Sequence, residues 1–344
     1  MNKFLKKFLL SSLICACILC SMPIVKLKND ALIRATEGQA ECVMEMNSRR
    51  VLYQNAADVR LPMASTTKIL TCLTVLNICK NLQEEVVIPK EAEGVEGSSV
   101  YLKAGDKYSV EDLLYGLMLR SGNDCAVALA LHCSSDIARF CAQMNKFAQS
   151  AGALNSRFEN PHGLPCKNHY TTAYDLTLIS CLAMQNPVFK KIVSTQYYPP
   201  YGWKNKNKML TLYEGGVGIK TGYTKQAGRC LVSAAERNGM TVVCTLLNCP
   251  TTYERTSELL DDAYAAYSYE KILDKDLPLT IKTSNQTLIG YSKQDVYYPL
   301  LADEKSLISI QTKPKRLLKK QEFVGEFSIY LAKQLLFSGN LYKL

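Results

Sequence analysis

Val217 to Thr221 (VGIKT), Gly228 to Ala235 (GRCLVSAA) and Met240 to Leu247 (MTVVCTLL) follow one another with a period of two and glycine-bearing turns between them. That pattern predicts three successive strands joined by hairpins. Upstream, Cys42 to Gln54 gives two short strand-like runs around Asn47-Ser48, another hairpin. Between these strand blocks lie helical stretches: Thr66 to Cys79, Ser109 to His132 in two pieces, Ser135 to Gly152, and Thr172 to Met184. Ser109 with Asp112 forms a capping box, and Ser121-Gly122-Asn123 interrupts the helical period. A last helix spans Tyr253 to Tyr267. Strands, a helical middle and a strand meander predict an α+β fold, an antiparallel sheet flanked by helices with an all-helical subregion.

Composition bounds the class. The chain has 344 residues, 47% hydrophobic and 21% charged, with 18 Gly and 12 Pro, which excludes collagen-like and mainly disordered readings. Met1 to Lys7 carries three lysines and Phe8 to Met22 is apolar, the pattern of an export signal, so residues 1–30 are read as a signal peptide without a clean cleavage site. The apolar run is short for a bilayer span, which favours a cleaved leader over a retained anchor. An exported, extracytoplasmic location follows. Residues 31–270 form the main domain, and 277–344 a small β-rich C-terminal domain with the basic run Lys313, Lys315, Arg316, Lys319 and Lys320. A net charge of +10 on such a chain suggests contact with an anionic polymer or a membrane surface, and charge alone leaves nucleic acid open.

Three of the fourteen cysteines, Cys15, Cys17 and Cys20, lie in the leader, and the eleven that remain are an odd number set largely in apolar runs. Buried free thiols are expected rather than a disulfide framework. With His132, His162 and His169 as the only imidazoles, no metal site is expected.

Three short motifs occur in order: Ser65-Thr66-Thr67-Lys68, Ser121-Gly122-Asn123 and Lys220-Thr221-Gly222. Each is weak alone, and Ser268-Tyr269-Glu270-Lys271 and Ser338-Gly339-Asn340 repeat two of them further on. Context separates the first set, since Ser65 starts a helix, Ser121 breaks one and Lys220 lies on a strand. One helical turn brings Lys68 back beside Ser65. A serine hydroxyl needs a base, and a lysine serves only if burial or neighbouring cations lower its pKa, a cation that Lys220 supplies if it faces the same cleft. Gly222 inside a strand marks close approach of another backbone. A Ser-His-Asp arrangement of Ser65 with His162 or His169 and Asp175 is the chemical alternative.

These motifs, with Pro62 to Lys68, Asn160-Pro161-His162-Gly163-Leu164, His169 to Asp175 and Gly218 to Thr224, resemble the serine penicillin-binding enzymes, specifically the low-molecular-mass D-alanyl-D-alanine carboxypeptidases. The likeness implies a β-lactamase/transpeptidase-like fold, peptidoglycan stem peptides as substrates, β-lactams as covalent inhibitors, and no cofactor or nucleic acid. It implies Ser65 as the acylated nucleophile, Lys68 as its base and Ser121 as proton relay. Asn123, Lys220, Thr221 and Gly222 would bind substrate, with the backbone N–H groups of Ser65 and Tyr223 forming an oxyanion hole. Arg255 falls where the family places a carboxylate-guiding arginine. Rival readings are a DD-endopeptidase, a noncatalytic wall-binding protein, and a class A-like β-lactamase. The last is disfavoured because Arg157 to Leu164 offers Glu159-Asn160 without the E-x-x-L-N spacing.

Overall fold

The structure, a computed structural model, describes residues 40–314 and 323–343. The leader and the basic residues Lys315, Arg316, Lys319 and Lys320 lie outside the described residues. In chain order come strands β1 (Ala40–Glu45) and β2 (Val51–Asn55), a 3-10 turn (Ala64–Thr67), helix α1 (Lys68–Ile78), and the paired strands β3 (Glu85–Val87) and β4 (Lys107–Ser109). Next are α2 (Val110–Tyr115), a π turn (Gly116–Arg120), α3 (Asn123–Cys133), α4 (Ile137–Ser150), α5 (Ala173–Met184) and α6 (Pro187–Ser194). The small hairpin β5 (Tyr197–Tyr198) and β6 (Trp203–Lys204) and the short α7 (Met209–Leu212) lead into β7 (Gly216–Thr224), β8 (Gly228–Arg237), β9 (Met240–Leu247) and α8 (Thr252–Ala266).

Local chemistry sets the boundaries. The β1–β2 turn closes on the Glu45 carboxylate, which accepts from the backbone N–H of Asn47 at 3.0 Å and of Ser48 at 2.7 Å. Ser109 caps α2 with Asp112 as a full capping box, and the Thr172 hydroxyl caps α5 by accepting from the Asp175 N–H at 3.0 Å. Ser121, after the π turn, sits in the left-handed region at φ 66°, so the helical run breaks there and restarts at Asn123.

The five-stranded antiparallel sheet has the order β2-β1-β9-β8-β7, which leaves β7 as an edge. Its register sets two neighbouring rows: Cys42, Thr245, Val232 and Lys220, then Glu41, Leu246, Leu231 and Thr221. Successive residues of a strand face opposite sides, so the rows serve different cores. Cys42 and Val232 join the large cluster formed with α1, α3, α4 and α5. Leu231 and Leu246 pack instead with Leu259 and Leu260 of α8.

Downstream, β10 (Ser268–Leu273) pairs with β13 (Val296–Leu300), β11 (Leu279–Lys282) with β12 (Thr287–Gly290), and β14 (Ile308–Pro314), β15 (Phe323–Leu331) and β16 (Gln334–Tyr342) form a third sheet. The β-rich section therefore starts at Ser268, and it has its own core around Ile281, Phe327, Ile329 and Leu341. Arg50 clasps it to the β1–β2 hairpin through Glu304, at 2.6 and 2.8 Å, and through the Pro299 carbonyl at 2.8 Å. Among the described residues no single helix is long and apolar enough to cross a membrane.

Candidate active site

Ser65 lies within the 3-10 turn, and Lys68 is the first residue of α1. In a 3-10 turn the side chains at i and i+3 eclipse, a closer stacking than the α-helical turn expected from the sequence. Lys68 Nζ is 3.1 Å from Ser65 Oγ. Two more contacts complete its surroundings, to Asn123 Oδ1 at 2.6 Å and to the His162 carbonyl at 2.6 Å. The Asn123 amide is oriented by its other end, because Nδ2 donates to the Glu96 carbonyl at 2.5 Å. Burial, then the Lys220 charge, holds the Lys68 amine well below the usual ammonium range.

A neutral amine has two N–H bonds and one lone pair. Asn123 Oδ1 and the His162 carbonyl accept and cannot donate, so they take both N–H groups. Whenever the amine is uncharged, its lone pair is left for the hydroxyl of Ser65.

Lys220 is buried, with Nζ 3.0 Å from the Thr221 carbonyl. Burial, with help from the Lys206 charge, brings its ammonium down to about 7. Gly222 lies against the nucleophile turn, since a Cβ there would come within 3.2 Å of the Ser65 nitrogen and 3.1 Å of the Met63 carbonyl. The edge strand and the Ser65 turn are thus adjacent, and Tyr223 follows with a largely exposed ring. Ser121 is nearly buried in its left-handed turn, two residues before the asparagine that holds Lys68.

Several wall residues carry no sequence motif. Lys206, after β6, reaches Ser98 Oγ at 3.4 Å, and its charge acts on both Lys68 and Lys220. The Asn123 N–H donates to the Ser98 carbonyl at 2.7 Å, which ties the loop before β4 to the start of α3. Gly163, at φ +94°, presses on the turn from the other side, where a Cβ would lie 1.9 Å from the Ala64 carbonyl oxygen.

The histidines do not form a triad. His169 Nδ1 accepts from the Glu159 N–H at 3.0 Å, which leaves Nε2 to donate to Thr67 Oγ1 at 2.8 Å, so neither nitrogen is available to Ser65. His162 meets Lys68 through its backbone carbonyl rather than its ring. Burial and the Lys68 charge lower His162 to about 3, and burial chiefly lowers His169 to about 4, so both rings are neutral at pH 7. Asp175 orients the flanking loop, accepting from the Asn155 N–H at 2.7 Å and from Ser156 Oγ at 2.8 Å. Glu159 faces Cys166 and Asn168, at 2.8 and 3.2 Å, and is not placed as a water-activating carboxylate.

Arg255 is a correction to the sequence reading. Its Nε and Nη2 each lie 2.9 Å from a carboxylate oxygen of Glu41, and Nη1 lies 3.3 Å from Glu258. Glu41 shares a register row with Thr221 but stands three strands away, about 14 Å at the usual strand spacing. The guanidinium is spent on a buried ion pair rather than turned toward the cleft. Among the described residues most of the cysteines are buried free thiols, while Cys133 is partly exposed and Cys166 exposed. The repeated motifs fall on strands, Ser268 and Lys271 on β10 and Ser338 to Asn340 on β16, where positions i and i+3 face opposite sides.

Comparison with known proteins places the chain in a family. A family model described as D-alanyl-D-alanine carboxypeptidase matches residues 27–251. The D-alanyl-D-alanine carboxypeptidase DacF of Bacillus subtilis is 30% identical over 249 residues, covering 68% of this chain and 64% of that protein. The D-alanyl-D-alanine carboxypeptidase of Streptomyces sp. (strain K15) is 36% identical over 238 residues, covering 62% of this chain and 82% of that protein. Among solved structures, penicillin binding protein 5 from Haemophilus influenzae superposes with a TM-score of 0.76 at 26% identity, covering 90% of this chain and 97% of that one. With the family match spanning well over half its length, the chain belongs to the D-alanyl-D-alanine carboxypeptidase family of serine peptidases.

Proposed function

We propose that this protein removes the terminal D-alanine from peptidoglycan stem peptides outside the cytoplasmic membrane, through an acyl-serine that β-lactams also form. The observation that carries the reading is the hydrogen-bond set of Lys68, whose two acceptors direct the amine lone pair at Ser65 Oγ. Ser65 Oγ attacks the carbonyl carbon of the penultimate D-alanine while its proton passes to Lys68 Nζ. The negative charge on the carbonyl oxygen is received by the backbone N–H groups of Ser65 and Tyr223, a device worth a factor of about 100 to 1,000 in rate. Collapse breaks the C–N bond, and the departing amine takes a proton by way of Ser121. Water then cleaves the ester and restores the serine.

Lys220 and Thr221 receive the substrate's terminal carboxylate, with Gly222 admitting the peptide close to the strand. Asn123 serves both Lys68 and the substrate amide. Arg255 has no part in this scheme, and Lys206 is the cation whose charge bears on Lys220.

The test is incubation with diacetyl-L-Lys-D-Ala-D-Ala and mass analysis of the products. Loss of one alanine in the wild type and none in Ser65→Ala supports the assignment. Cleavage of a crosslinked dimer with no action on the tripeptide makes the enzyme an endopeptidase, and no covalent penicillin adduct on folded wild type removes acyl-serine chemistry altogether.

A further inference from the structure

Two helices that open at the site also end side by side. Helix α1 starts with Lys68 and is closed by Cys79, and α3 starts with Asn123 and ends in Cys133. The two sulfur atoms are 3.3 Å apart. Each helix has 11 residues, so the pair lies about 16 Å from the reacting groups. Most of the other thiols in the described residues are sealed in the core, whereas Cys133 is partly exposed and Cys79 sits at the edge of the core with the exposed Lys80 next to it. His132 and Glu84, 3.5 Å apart, flank the opening.

We infer that Cys79 and Cys133 are a redox-responsive pair that closes to a disulfide and ties together the far ends of the two helices whose near ends hold the active site. The sulfurs are in contact, and closing the pair requires them to approach to the bonding distance of about 2.05 Å. The oxidant is a small-molecule or protein disulfide, R–S–S–R. Cys79 thiolate attacks one of its sulfurs and expels a first thiolate, giving a mixed disulfide. Cys133 thiolate then attacks the Cys79 sulfur and expels the second. Two electrons pass from the cysteine pair to the oxidant, and the two cysteine protons end, by exchange through solvent, on the two expelled thiolates, which become two thiols.

Cys79 is the attacking sulfur on electrostatic grounds. The contact with Cys133 holds its thiol below the usual value, aided by Lys80, whereas the same contact and burial push Cys133 up. The ring so closed spans 54 positions and contains the segment that bears Ser121 and Asn123. Long rings remove the most freedom from the unfolded chain, so the bond raises stability while leaving the site's geometry alone.

The experiment uses the full-length protein, fully reduced and then exposed to oxidised glutathione, alkylated, and digested without reduction. A Cys79–Cys133 linked peptide is expected, together with a melting temperature about 5 to 10 °C above that of the reduced protein and a penicillin acylation rate changed by less than about twofold. Cys79→Ser and Cys133→Ser each abolish the linked peptide and the thermal gain. The inference is overturned if both cysteines of the wild type stay alkylated, if Cys79 stops at the glutathione adduct, or if the linked protein melts no higher than the reduced one. Because the mapping is done on the wild type, a variant that folds poorly does not decide the matter.

Discussion

Asn123 holds Lys68 by its oxygen, at 2.6 Å, because its nitrogen is already committed to the Glu96 carbonyl. The amide therefore fixes the amine's direction without giving it a charge. Asn123→Asp keeps the shape and adds a negative charge beside Nζ, which raises the Lys68 pKa. Penicillin acylation at pH 7 should fall by 100-fold or more and recover in part as pH rises, a profile read by stopped acylation assays across pH 6 to 10. An unchanged pH profile contradicts the role given to the amide.

The buried lysines make stability pH-dependent. Lys220 is brought from its ordinary 10.5 down to about 7, and Lys68 is shifted the same way. Between these values the unfolded chain binds more protons than the folded one, so stability rises with pH from about 7 toward 10.5 and falls as pH drops. Lys220→Met removes one of these groups. It should raise the urea midpoint at pH 7, with a smaller gain at pH 10, and should move the acid limb of acylation to higher pH, because Lys68 loses its neighbouring cation. A stability gain that is equal at both pH values would refute the linkage.

Arg255 is predicted to act on stability alone. Arg255→Ala leaves the buried Glu41 carboxylate without its counter-charge, with only the Tyr53 hydroxyl still donating to it at 3.0 Å, which costs about 3 to 5 kcal/mol. Denaturant unfolding checks the loss. Acylation per folded molecule, titrated with labelled penicillin, should stay within about threefold of the wild type. A large rise in KM for carboxylate-bearing substrates at full foldedness would return Arg255 to the site.

Lys206 is predicted to steer carboxylates. Lys206→Gln should lower kcat/KM on the tripeptide by about 5- to 20-fold at low salt, with the gap narrowing as salt screens the exposed charge. Steady-state kinetics at two ionic strengths separates this from a packing effect, which salt leaves in place.

Much of the scaffold was legible because its signals are local. The capping box at Ser109, the cap at Thr172, the hairpin at Asn47-Ser48 and the three-strand meander are written within a few residues of where they act. The pairing of Ser65 with Lys68 was equally readable, since three positions along any tight helix reach each other, although the 3-10 geometry was not. What stayed hidden depends on distant partners. Arg255 sits where a guide is expected, and only the fold brings up Glu41, 214 positions earlier, to claim it. Lys206 and the His162 carbonyl lie on loops whose path no periodicity encodes. The short helix at Pro187 and the π turn before Ser121 were likewise unread, the first because a proline at helix position one looks like a loop signal.

The contact between Gly163 and the Ala64 carbonyl has a practical reach for anyone reshaping this enzyme's substrate range. The loop flanking the cleft is a natural place to build diversity, yet that one position shares its seat with the peptide group just before the nucleophile. Even a methyl group there must push the attacking serine out of register with its base. A library that randomises the loop will therefore recover active clones only with the hydrogen side chain kept at 163, and its useful freedom lies at the neighbours that point outward.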